Sequence, residues 1–372
     1  MLPVYSPESH SLYQDFFISN FLLYYPDPFS ISRQTWKIIV QFWHLDLSQT
    51  TSILLGSYSK FGPAPRDPVS MLRSYLLSIK LKITSITDWV SRLKECPLYA
   101  IISGFYPDDV PGIGTFYDFF RHIWNSEQKH LSVQLRHKKK KIYMFVASDS
   151  ANGLPVFPIL ERASRHDMLS FLHTFFTMKT WLPEYRVTKL LLDAAHDADA
   201  VYRYCQESGI QPFIDLNSGN TGNFIYKDTF TINNDGVPVC KLGLHMKPDG
   251  VERNRNRCKW RCPKADRSGC HCETPCSDSS YGRVVHTPVK DNPRLFNIPP
   301  RNSLEWDKEY DRRASVERSN KREKEDYKLE DGRHRSSMMW YCRLYCTMML
   351  QHLDAWEMPS IEAFQSLLSL DA

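Results

Sequence analysis

Tyr310, Arg313, Glu317 and Lys324 stand at offsets of 3, 4 and 7 within a stretch from Trp306 to Lys328 that has no Gly or Pro and is rich in Glu, Lys and Arg. That composition favours a helix. At about 100° per residue these offsets return to nearly one azimuth, so the four side chains are expected on one face within roughly 60°. A single Glu among Arg and Lys has the chemistry to bind a divalent metal while its neighbours grip phosphate. The alternative is a solvated helix laced with salt bridges. A second carboxylate, Asp193, follows three leucines in LLLDAAHDADAV. It should emerge at the carboxyl edge of a buried strand, where α/β sheets present functional groups. A carboxylate there stays ionised when it coordinates a metal; left bare, it carries a desolvation cost on the order of several kcal/mol. The alternative is a helix cap, because Asp193, Asp197 and Asp199 all fall near a helix start. His196 reads as a surface or cap residue rather than a ligand.

Soft ligands form a separate group. Ten cysteines argue against disulfides in a cytosolic chain, and six of them crowd between Cys240 and Cys276. The spacing Cys258-x3-Cys262-x7-Cys270-x-Cys272-x3-Cys276 lacks the paired C-x2-C of a zinc ribbon, yet four thiolates suffice for one tetrahedral Zn²⁺. Cys262, Cys270, Cys272 and Cys276 are the preferred set, with His271 as a substitute; the alternative is reduced, merely tolerated cysteines. Basic flanks suggest a structural knuckle pressed on DNA. Cys342 and Cys346, one turn apart beside Trp340 and Leu344, read as helix packing.

The elements that must position these residues follow from hydrophobic period. Residues 1–60, with FLLYYPDPF and WKIIVQFW, fit short helices, and GPAPRDP at 62–68 is a loop. Helical spacing then recurs at Met71, Leu72, Tyr75, Leu76 and Ile79, and again at Ile86, Trp89, Val90 and Leu93, with Ser85 or Thr87 as cap. A further helix starts near Gly114. From Ile142 the period changes: IYMFVA is a buried strand, SDSANGLP a turn, and Val156–Leu160 the hairpin partner. A helix capped by Asp167 or Ser164, the strand ending at Asp193, a helix closing at Gly209 and the strand IQPFIDL complete a mixed α/β order. Residues 217–300 read as an insertion. Helix is expected again through MMWYCRLYCTMMLQHL, fraying towards the carboxyl end.

With 372 residues, two or three domains are expected. The divisions are 1–60, an aromatic-rich helical lead-in; 61–135, a helical DNA-binding region; 136–216, the first part of the sheet domain; 217–300, the Cys-rich basic insertion; 301–345, the helix of Glu317; and 346–372, a tail. A formal charge of +5 supports a polyanionic partner only weakly; local charge is stronger, at HKKKK (137–141) and in seven Lys or Arg from Arg253 to Arg267. HKKKK reads foremost as a solvated linker. No apolar run reaches the roughly 18–20 residues that span a bilayer, and MLPVYSPESH lacks the order of a secretory signal, so no membrane and a cytoplasmic location are expected.

Tyr-x2-Arg-x3-Glu-x6-Lys resembles the signature around the last acid of bacterial insertion-sequence DDE transposases. LLLDAAHDADAVYRYCQESGIQPFIDLN resembles their second-acid segment, and the order GPAPRDPVSMLRSYLL, SITDWVSRLKECPLYAIISGF, Gly-Thr-Phe-x-x-Phe resembles their helical region. The resemblance runs from about residue 60 to about residue 345. It implies an α+β chain in which a helical domain precedes a ribonuclease-H-like sheet. It also implies two Mg²⁺ ions held by Asp193, Glu317 and a further aspartate, with Tyr310 and Arg313 on end phosphates and Lys324 on the DNA backbone. Double-stranded DNA, as element ends and target, and a homodimer on that DNA are the implied partners, at the nucleoid. The family's first aspartate, however, has no counterpart: between Trp124 and Ile142 there is no aspartate and no run fit for a central strand. Asp149 reads as a turn residue. The expectation is a DNA-transposition enzyme, nicking and transferring strands, that carries an internal deletion and is impaired. The alternative is a non-catalytic remnant that still binds element ends.

Overall fold

The computed structural model describes residues 9–27, 31–58, 64–124, 142–162, 167–217, 219, 224–226, 230–301, 303–332 and 336–370. HKKKK and Ser164 lie outside the described residues, as does all of 125–141. The chain mixes helices with several small sheets and divides into two units. One comprises residues 1–142, 154–162 and 318–372; the other comprises 143–153 and 163–317.

The first unit is helical. It contains α1 (His10–Tyr24), α2 (Arg33–His44), α3 (Thr51–Leu55), α4 (Pro68–Lys80), α5 (Ile86–Glu95), α6 (Pro97–Ser103) and α7 (Ile113–Ile123). Local chemistry fixes the starts. Asp67 accepts from the Ser70 N–H at 2.7 Å, and Pro68, expected in the loop, takes the first helical position, where its missing N–H costs nothing. Ser85 caps α5. Gly104, at φ +92, ends α6 in the left-handed conformation. Phe17, Phe21, Trp36, Ile39, Leu76, Trp89, Ile101 and Phe116 form the core.

The carboxyl-terminal residues complete that core. After strands β1 (Ile142–Ser148) and β2 (Pro155–Arg162), and beyond the second unit, the chain forms the last helices of the first unit, Ser337–Asp354 and Ile361–Leu370. The expected tail is a correction: Phe364 packs at 5.0 Å from Trp43, and Leu350, Leu353 and Leu368 are buried, because these side chains are too apolar to fray into water. Cys342 and Cys346 are buried packing residues as expected. The Arg343 guanidinium is 1% exposed and donates to the carbonyls of Ile83 and Tyr327. Glu323 is also buried. Its carboxylate accepts from Gln351 at 3.1 Å, and burial pushes its pKa up to about 7.

The second unit carries α8 (Asp167–Trp181), β3 (Lys189–Leu192), α9 (Asp199–Glu207) and β4 (Gln211–Ile214). β3 and β4 pair in parallel, Leu192 opposite Ile214, and form a two-stranded sheet of their own among the described residues. The insertion is antiparallel. β5 (Phe224–Tyr226), β6 (Phe230–Ile232) and β7 (Pro238–Val239) make one sheet, and β8 (Lys247–Glu252), β9 (Arg257–Arg261) and β12 (Val284–Pro288) another; in the chain between β9 and β12, β10 (Ala265–Asp266) and β11 (Gly269–Cys270) form a separate hairpin.

One uniform helix from Trp306 to Lys328 is not what forms. The stretch is α10 (Leu304–Tyr310), a 3₁₀ turn over Asp311–Arg313, α11 (Ala314–Lys321) and a π turn over Arg322–Asp326; the two helices of the first unit that follow are α12 (Ser337–Asp354) and α13 (Ile361–Leu370). Tight and wide turns shift the azimuth from the α-helical 3.6-residue period. The single shared face expected for Tyr310, Arg313, Glu317 and Lys324 therefore does not extend through the whole stretch.

Candidate functional site

The site starts from strand geometry. β3 and β4 run in parallel, so their carboxyl ends fall at one edge, and the residue after each strand is an aspartate. The Asp215 N–H donates to the Leu192 carbonyl at 3.3 Å, extending the ladder and setting Asp193 and Asp215 side by side. Asp215 is exposed, and the Asp193 side chain is 53% exposed. Asp193 also caps the 3₁₀ turn Ala194–His196. Its Oδ1 accepts from the Ala195 N–H at 3.2 Å and contacts His196 Nδ1 at 2.8 Å. Cap and candidate ligand are thus one residue. His196 is buried edge-on against Phe171, which suits a positioning role.

α10 lies over this strand pair. Trp306 is buried, with its ring 6.2 Å from Phe213 of β4, and Lys189 at the start of β3 pairs with Glu309 at 2.9 Å. Tyr310 stacks on Trp306 at 4.7 Å. Burial first, then the negative charges of Asp215 and Asp193, keep the Tyr310 hydroxyl protonated far above its ordinary pKa. The Arg313 guanidinium sits 5.8 Å from the Tyr310 ring and donates to Glu317 Oε1 at 2.9 Å. Burial opposes its charge, but Tyr310, Glu317 and Asp193 together raise its pKa. Asp193, Asp215, Tyr310, Arg313 and Glu317 therefore share one electrostatic neighbourhood. Lys324 lies in the π turn of the first unit and pairs with Glu330 at 3.0 Å.

Behind the edge is a closed polar network. The Asp197 side chain is 0% exposed and is gripped by Arg294, with Nη2–Oδ2 at 2.6 Å; it also accepts from the Tyr202 hydroxyl and the Asn217 N–H. Arg301, buried as well, donates to the Ile214 carbonyl at 3.0 Å. The insertion's last residues are in this way fastened to β4 and to the start of α9.

Asp215 was missed by sequence reasoning. Its signal was available: PFID repeats the apolar-run-then-Asp pattern of LLLD, and a helix between two such runs predicts parallel strands with both acids at one edge. Asp149 behaves as a turn residue, its Oδ1 accepting from the Ala151 N–H at 2.9 Å.

Chemically, the Tyr310 hydroxyl and the Arg313 guanidinium can each donate to a phosphate oxygen, whereas the Asp193 and Asp215 carboxylates beside them repel an anion unless a cation lies between. Glu317 pairs with Arg313 while its side chain stays 63% exposed, and among the described residues no three His, Cys, Asp or Glu side chains stand together as a metal-binding group. Within the basic run, Arg257 pairs with Glu252 and Lys259 with Asp249, each at 2.8 Å. No helix among the described residues is long and apolar enough to cross a membrane. Comparison with protein-family models, curated proteins and solved structures finds no match.

Proposed function

We propose that this chain is a DDE-transposase-like protein that binds double-stranded DNA ends as a homodimer and is impaired in strand cleavage. The resemblance of the Tyr310–Lys324 and Asp193 segments supports the class, including a ribonuclease-H-like ancestry for the β3–α9–β4 region and a cytoplasmic, nucleoid location. The observation that carries the reading is that Asp193, at a strand tip, and Glu317, on a separate helix more than a hundred residues later, both bear on the Arg313 guanidinium. On this reading Tyr310 and Arg313 hold an end phosphate through a hydroxyl and a guanidinium. The family takes its first aspartate from a strand ahead of IYMFVA that has no counterpart in this sequence, and removing one member of a set that acts as a unit abolishes nearly all activity.

The test is end-labelled duplex DNA carrying the sequences that flank the gene. Preferential binding that weakens steeply with salt is expected, without nicking when Mg²⁺ is added. Arg313→Ala should weaken binding, whereas Asp193→Asn should preserve it. Robust Mg²⁺-dependent nicking that Asp193→Ala abolishes would restore full catalytic status. Equal affinity for flanking and scrambled duplexes would remove the transposase reading altogether.

A further inference from the structure

The first unit holds a cavity of about 680 Å³ that the DNA-binding reading does not use. It lies between α2, the end of α4, the π turn over Arg322–Asp326 and the junction of α12 with α13. Small-molecule sites typically enclose about 300–1,000 Å³. One wall is built from polar side chains that satisfy one another. Gln351 is 1% exposed; its amide donates to Glu323 at 3.1 Å and its carbonyl accepts from the Ser319 hydroxyl at 3.2 Å. Asp354 accepts from the Gln41 amide at 2.7 Å on one oxygen and from the Tyr327 hydroxyl at 2.5 Å on the other, and Lys80 pairs with it. The cations around the opening differ. Arg33 and Lys37, one turn apart on α2, line the cavity together, and Lys82 enters it from the end of α4; all three are exposed. Among the described residues neither Lys37 nor Lys82 has an ion-pair partner. Trp356, 53% exposed, lines the same cavity with Met358 and Ile361.

Lys82 shows that the lysine is not there for the fold. The Lys82 N–H donates to the Ile79 carbonyl at 2.8 Å, and the Ile83 N–H donates to the Ser78 carbonyl at 2.9 Å. That way of ending a helix requires a left-handed residue, and Lys82 has φ +60. α6 meets the same requirement with Gly104. A lysine in this conformation is strained where glycine is not, and such strain gathers at ligand sites.

We propose that this cavity binds a nucleoside phosphate, with its phosphates held by Arg33, Lys37 and Lys82 and its base against Trp356. Arginine and lysine hold phosphate oxygens through charge-assisted hydrogen bonds, and every base has a π face that an indole can cover. The acids of the lining do not prevent this. Both Asp354 oxygens are already engaged, one of them by the Lys80 ammonium, which limits the repulsion of an anion. Asp326 and Glu362 are exposed, where water and salt screen them. A bare inorganic anion would leave the Trp356 side of the cavity unfilled, so the ring is part of the ligand. The site rests on neither Asp193 nor Glu317 and stands independently of the DNA-binding reading.

The test is equilibrium dialysis of the full chain against ADP and against inorganic phosphate. ADP should bind roughly tenfold or more tightly than phosphate, the base supplying the difference. Trp356→Ala should remove that preference and leave phosphate binding unchanged. Lys82→Gly should weaken ADP and phosphate alike, roughly tenfold, while raising the thermal midpoint, because glycine adopts the left-handed conformation without strain. A loss of binding in a more stable protein has no folding defect behind it. Absence of ADP binding by the wild-type chain overturns the proposal. So does a Lys82→Gly variant that binds ADP as the wild type does or melts at a lower temperature, and so does a Trp356→Ala variant that keeps the preference for ADP. Displacement of bound ADP by duplex DNA would make the cavity a DNA contact and likewise overturn a free nucleotide as its ligand.

Discussion

Asp197 in the second unit and Glu323 in the first are both removed from water, yet their surroundings ask opposite things of them. Asp197 meets a guanidinium, a tyrosine hydroxyl and a backbone N–H. Burial works against its charge, but Arg294 and the other donors outweigh it and hold the carboxyl below its usual range. Glu323 meets a neutral amide from Gln351, and burial wins, pushing it up to about 7. Depth alone therefore does not decide whether a buried acid is charged; the partner does. Asp193 and Glu317 differ from both in being open to solvent, the condition a ligand-binding carboxylate requires.

The largest expected effect comes from removing the partner of the charged acid. Arg294→Ala leaves Asp197 buried and uncompensated and should cost about 3–5 kcal/mol, read as a lowered urea midpoint. If Arg294→Ala and Asp197→Asn together restored most of that loss, the buried charge itself would be identified as the cause. A loss under about 1 kcal/mol would erase the distinction between this pair and an exposed one.

Glu323 gives the next effect, on the order of 3 kcal/mol, and it appears as a pH dependence. Its folded pKa lies above its unfolded one, so its contribution is fully present below about 4.5 and is lost as pH rises through about 7. Glu323→Gln should flatten stability across that window. Asp197 runs the other way: its folded pKa is depressed, so its contribution is present above the unfolded value and disappears as pH falls through the folded one. Asp197→Asn should accordingly weaken the acid sensitivity of the second unit and leave the neutral limb to Glu323. Stability curves whose limbs respond to the opposite substitutions would refute the assignment.

The smallest effects belong to the open site. Arg313→Ala and Glu317→Ala break an ion pair with a 63% exposed carboxylate and should each change stability by about 0.2–1 kcal/mol. Asp193→Asn keeps a capping oxygen and should be similarly mild. A loss of several kcal/mol at any of these would make the candidate site a structural one.

How far the chain could be read in advance follows the same division. The helices around Tyr75 and Trp89 were legible because local period reports burial; the strand before Asp193 forms as expected but is only half-buried, Leu190 alone being fully enclosed. The breaking of Trp306–Lys328 into α, 3₁₀ and π turns was not, since composition does not encode a change of helical pitch. The pairing of Asp197 with Arg294 spans 97 residues and leaves no local trace. The basic run from Arg253 does not show in its charge pattern that strand alternation in β9 sets Cys258 and Trp260 to the core and pairs Arg257 and Lys259 with the acids of β8. Asp215 leaves a local trace, since PFID repeats the apolar-run-then-Asp pattern of LLLD one strand later.

α12 and α13 supply Leu350, Leu353, Phe364 and Leu368 to a core that begins with Phe17 on α1. During synthesis, the amino-terminal helices therefore leave the ribosome well before the surfaces they need exist. They must wait, with aromatic side chains exposed, while the intervening unit is made.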